Sequence, residues 1–145
     1  MGHLRDSIFE IVQVTGFTVR ELSVIEKEGI RRMLREKYER DLPTRALWER
    51  LNNAFSVRDP KAWEWIGTFV GDSNALLITT EYEHDDTAFE FKNGKELTEV
   101  LGETTNFEFY VTDACASYLF CFNHHDYLLA AGSAIPWLKK WVQEN

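Results

Sequence analysis

The sequence predicts an α+β fold in which N-terminal helices pack on an antiparallel sheet of about five strands, closed by a C-terminal helix, within one domain spanning residues 1–145. Three observations predict it. Apolar residues recur at helical spacing through most of residues 4–66, and they alternate or cluster in strand-like runs between residues 75 and 131. No Pro/Gly/Ser-rich linker separates the two parts, so they are expected to share one core. With 44% hydrophobic and 14% aromatic residues the chain has the material for it, since a domain of ~150 residues buries roughly 68–70% of its unfolded surface.

Leu4, Ile8, Ile11 and Val12 mark one face of a first helix, which Gly16 stops. Phe17 to Leu22 is ambiguous, with some extended character. Ser23-Val24-Ile25-Glu26 is a capping box that opens a second helix over about 24–40, with Ile30, Met33, Leu34 and Tyr38 inward. Asp41-Leu42-Pro43 breaks it. Leu47, Trp48, Leu51 and Phe55 give a third helix, and Asp59-Pro60 reads as the cap and first position of a fourth that carries Trp63 and Ile66 inward. Ala75 to Tyr82 and Ala88 to Phe91 form a hairpin around His84-Asp85-Asp86, and a short helix over Lys95 to Gly102 comes next. Phe107, Phe109 and Val111 alternate with Glu108, Tyr110 and Thr112, which predicts a strand with one wet face. Tyr118 to Phe122 and Tyr127 to Ala131 are two more strands, and Gly132 ends the sheet. Ile135, Leu138 and Val142 line a closing helix with Trp137 and Trp141.

No apolar run approaches the ~20 residues of a membrane span. The start, Met1-Gly2-His3-Leu4-Arg5-Asp6, has no signal pattern, and Asp6 stands where myristoylation wants Ser or Thr. A cytoplasmic location is expected. Cys115 and Cys121 are too few for a disulfide framework and fit reduced thiols. The net charge is −8, and residues 81–113 hold ten acidic residues against two basic, a surplus equal to the whole. Such a field repels phosphate backbones and favours a basic protein partner, so nucleic-acid binding is not expected.

Candidate chemistry lies in two places. His124-His125-Asp126 resembles a ligand or proton-shuttle set, but adjacent strand residues point to opposite faces, and Asn123 and Asp126 are ordinary turn formers. The triplet reads as a hairpin turn, with partner contact as the functional alternative and no metal. Glu81, Glu83, His84, Asp85 and Asp86 gather at the first hairpin's tip without the order of a calcium loop, and read as a solvated acidic loop or a protein-binding tip. No P-loop, Rossmann glycine pattern, nucleophile elbow or zinc-protease motif is present, and no cofactor is expected. Trp65, Trp137 and Trp141 cannot all point inward, and an exposed one would serve as an interface hot spot.

The stretch Phe107-Glu108-Phe109-Tyr110-Val111-Thr112-Asp113, then Tyr118 to Asp126, Ala130-Ala131-Gly132 and Trp137-Leu138, resembles a family of small bacterial proteins of unknown function. Trp63-Glu64-Trp65-Ile66 and the step from Phe89 to Leu97 extend the likeness over about 60–141. The helices-then-sheet layout, with Leu42-Pro43, is similar to immunity proteins of the yeast cell-wall-regulator-like superfamily, although the aromatic and Asn-Gly-Gly sequence found after the Leu-Pro step there has no counterpart here. The first resemblance implies no activity. The second implies a module that neutralises a bacterial toxin, and the charge distribution adds the expectation that it acts without catalysis by occluding a basic cleft, with Glu81, Glu83, Asp85, Asp86, His124 and His125 as the contact residues. The competing expectations are a small hydrolase built on the His124/His125/Asp126 turn and a dimerising accessory domain.

Overall fold

β-Branched and aromatic side chains concentrate in seven short segments, and in the computed structural model these pair into one antiparallel sheet. The structure describes residues 3–39, 47–51, 53–83, 85–104 and 107–145. The break at Asp41-Leu42-Pro43 and the loop residue His84 lie outside them. In chain order the strands are β1 (Val19–Glu21), β2 (Phe55–Arg58), β3 (Ala75–Thr79), β4 (Ala88–Phe91), β5 (Phe109–Thr112), β6 (Tyr118–Phe122) and β7 (Tyr127–Gly132). Their spatial order is β1-β4-β3-β5-β6-β7-β2. The helices are α1 (His3–Thr15), α2 (Val24–Tyr38), α3 (Trp63–Val70), α4 (Gly94–Glu103) and α5 (Ala134–Glu144).

Helix-on-sheet architecture is as expected, but the sheet has two strands more than the sequence suggests, and both extra strands are edges. β1 comes from the ambiguous stretch after Gly16 and pairs with β4, Val19 opposite Phe91. β2 occupies the end of the expected third helix. Among the described residues there, a 3-10 turn, Leu47–Arg50, stands in its place. Asn53 then takes a left-handed backbone (φ 57°), which ends helical propagation, and Phe55 and Val57 alternate with exposed Ser56 and Arg58 along β7. The fourth helix begins at Trp63, three residues later than its Pro suggests. Asp59 holds the turn before it, its Oδ1 accepting from the Lys61 N–H at 2.8 Å.

The two faces of the sheet explain the remaining difference. On one face Leu77, Phe89, Phe91, Val111, Phe120 and Leu128 meet Ile8 of α1, Ile66 and Val70 of α3, Leu97 and Val100 of α4, and Leu138 of α5. On the other, Leu76, Ile78, Tyr110, Leu119 and Cys121 meet Leu34 and Tyr38 of α2 and Leu47 of the 3-10 turn. β5 therefore has no wet face. Glu108, which precedes it, is 3% exposed and Tyr110 is 1% exposed. Its period-2 alternation was legible, but a helix covers what reads as its polar side.

Two local devices set the helices against the sheet. The Ser23 hydroxyl accepts from the Glu26 N–H at 3.2 Å and the Glu26 carboxylate accepts from the Ser23 N–H at 2.9 Å, completing the capping box that starts α2. An Arg20 side-chain hydrogen bond, then the Ser23 N–H, bring that carboxyl down to about 2. In α3, Gly67 lets α4 approach closely. A Cβ on Gly67 would stand 2.7 Å from the Gly94 carbonyl oxygen.

Candidate functional site

The β3–β4 connection begins with paired threonines. Thr79 Oγ1 bridges to Thr87, donating to its carbonyl at 3.2 Å and accepting from its N–H at 3.2 Å. Beyond them the loop carries four carboxylates, and the chain supplies a partner to each. Glu81 accepts from the Tyr110 hydroxyl at 2.7 Å, from Arg35 at 3.2 Å and from the Leu47 N–H at 3.3 Å. Asp86 pairs with Arg31 at 2.7 Å and Lys27 at 3.4 Å. Burial, the largest influence, works to raise the Asp86 carboxyl, but Arg31 and Lys27 outweigh it and hold the group below its ordinary value. Asp85 accepts from the Arg5 N–H at 3.0 Å, and Glu83 accepts from the Glu108 N–H at 2.8 Å.

The sequence showed an acidic segment, but the fold lays the basic inner face of α2 across it. Three of those basic residues, Lys27, Arg31 and Arg35, come from one helix at i, i+4, i+8 spacing. That spacing was the signal available in the sequence. In the structure Arg31 is 14% exposed and reaches the Thr79 carbonyl at 2.9 Å.

His124-His125-Asp126 is the β6–β7 turn, as its composition predicts. Asn123 Oδ1 accepts from the N–H groups of His125 (3.0 Å) and Tyr127 (3.2 Å), and Asp126 takes a left-handed φ of 65°. The two imidazoles diverge. His125 lines a shallow cleft with Trp48, Glu49, Ser56, Tyr127 and Leu129. His124 lines a cleft of about 230 Å³ walled by Trp63, Phe107, Phe109 and Phe122. His124 also meets the acidic loop: its Nε2 is 3.2 Å from Glu83 Oε2, and its backbone N–H donates to Glu108 Oε2 at 2.9 Å. The structure thus brings Glu83 and His124 together, leaves His125 apart, and adds Glu108, which its strand-like alternation disguised.

A second surface was not visible in the sequence. Between α1 and α4 runs a groove of about 690 Å³ lined by Ile11, Val14 and Phe17 and rimmed by Glu10, Glu99 and Glu103, with no basic residue along it. Val14 is 87% exposed. None of the three rim glutamates has an ion pair or side-chain hydrogen bond among the described residues.

The tryptophans divide their apolar surface among themselves. Trp137 stacks on Trp141 at 5.2 Å and 16°, and Trp65 lies against Trp141 at 6.2 Å. All three are half-buried. No helix among the described residues is long and apolar enough to cross a membrane. No family model matches the chain, and comparison with the curated proteins and with the solved structures gives no match.

Proposed function

We propose that the chain is a cytoplasmic protein-binding module that seats a basic amphipathic helix of its partner in the α1–α4 groove. The observation that carries this reading is the pairing of an open apolar floor with uncompensated charge of one sign: exposed Val14 beside Ile11 and Phe17, flanked by Glu10, Glu99 and Glu103. An apolar stripe on the partner fills the floor while its Lys or Arg residues meet the rim, the helix-in-groove mode. The β3–β4 loop contributes less to such a field, because Lys27, Arg31 and Arg35 offset Glu81 and Asp86 at close range. The biological role attached to this mode is that of an immunity protein covering the basic cleft of a bacterial toxin.

The test is titration with a synthetic Leu/Lys amphipathic helix at low and high salt. The triple variant Glu10→Gln/Glu99→Gln/Glu103→Gln should weaken binding about tenfold or more at low salt and flatten its salt dependence, with Tm unchanged. Asp85→Lys, at the loop, should bind as wild type does. Equal affinity in wild type and the groove variant sinks the reading. The immunity role has its own outcome: the reading frame should adjoin a toxin gene, and the groove variant should lose protection against that toxin.

A further inference from the structure

We infer that Glu83, Glu108 and His124 form a binding site for a divalent transition-metal ion, with zinc the best match to the ligand set. One ligand atom from each of the three residues lies within 4.8 Å of the other two. The Glu83 Oε2 to His124 Nε2 separation is already 3.2 Å, close to the ~3.4 Å between ligands that stand 2.0–2.2 Å from a tetrahedral zinc ion. Two carboxylates and one imidazole make a mixed oxygen and nitrogen set, which suits zinc over calcium or magnesium.

The second observation is the state of Glu108. Its carboxylate is buried, with the residue 3% exposed, and no Lys or Arg among the described residues pairs with it. It receives only neutral donors: the Thr80 hydroxyl at 3.3 Å on Oε1 and the His124 N–H at 2.9 Å on Oε2. A buried carboxylate without a cation carries a desolvation cost that two neutral hydrogen bonds do not cover, and here a second carboxylate, Glu83, lies beside it. Each oxygen of Glu108 keeps a free lone pair after these bonds. The Glu108 N–H fixes Glu83 over the site at 2.8 Å, so the loop, the start of β5 and the β6–β7 turn are tied together before any ion arrives. Those bonds act as the outer support that metal sites commonly need. The site draws on three separate parts of the chain, which is why residue spacing did not reveal it, and it uses one histidine of the adjacent pair.

The experiment is calorimetric titration of the tag-free, chelator-treated protein with zinc, with Tm recorded at each step. The expected result is about one equivalent bound and a Tm that rises with zinc and falls again on chelation. His124→Ala, at an exposed position, and Glu83→Gln should each weaken binding about tenfold or more and abolish the Tm rise, while His125→Ala should leave both intact. Glu108→Gln, of unchanged shape, should do the same as His124→Ala without loss of fold. Absence of stoichiometric zinc, or zinc binding that survives His124→Ala or disappears in His125→Ala, overturns the assignment.

Discussion

The Tyr110 hydroxyl, buried in β5, donates to Glu81 Oε1 at 2.7 Å and accepts from the Trp48 N–H at 3.2 Å. Burial, then the neighbouring Cys121 and Glu81, push its ionisation up, so it stays a neutral donor at any physiological pH. Tyr110→Phe removes the donor to Glu81 and the acceptor for Trp48 while preserving the ring. We expect it to cost about 1–3 kcal/mol, read by urea unfolding, because both partners are left short of a bond in a closed environment. A cost within about 0.5 kcal/mol would mean that water replaces the hydroxyl freely. Residues of this kind were only half legible. The alternation around Tyr110 gave the strand, but whether Tyr110 faces water depends on Leu34 and Tyr38 of α2, about seventy positions away in sequence, and whether Glu108 does depends on the β3–β4 loop and the β6–β7 turn, and no local pattern carries that.

At the scale of elements, starts and stops were the most readable features. Ser23 and Glu26 cap α2, and Gly16 closes α1 with a φ of 75°. These signals act over three or four residues, so sequence shows them directly. The segment after Trp48 misled because Leu47, Trp48, Leu51 and Phe55 satisfy a helical period, yet strand β2 gains a full ladder with β7, Phe55 opposite Ala130. Tertiary pairing overrode a local period. Gly67 offers a sharper test of the packing. In an isolated helix Ala is favoured over Gly by about 1 kcal/mol, but in α3 the added methyl would be driven into the Gly94 carbonyl and the Thr98 side chain. Gly67→Ala should therefore lower stability by about 2 kcal/mol or more, visible as a drop in urea midpoint. A stabilised variant would show that α3 and α4 stand further apart.

At the scale of the whole molecule, charge along the chain and charge in space are different quantities. The surplus in residues 81–113 is real, but α2 returns positive charge to the part that the loop exposes, while Glu99 and Glu103 on α4, facing α1, have no ion pair among the described residues. The candidate groove was hidden from the sequence because its two walls come from separate segments. One continuous sheet, with apolar clusters on both faces, couples β1 at one edge to β2 at the other. Thermal unfolding monitored by circular dichroism and by tryptophan fluorescence should give coincident, single transitions. Two separated steps would show that the faces melt independently. The same connectivity orders events during synthesis. Val19 has no strand to pair with until Phe91 has been made, and Phe55 has none until Ala130 has left the ribosome. The nascent chain thus carries each outer strand unpaired through about half of its translation, β1 until β4 is made and β2 until β7 is made, and the edge that β2 seals is the last one a chaperone would have to guard.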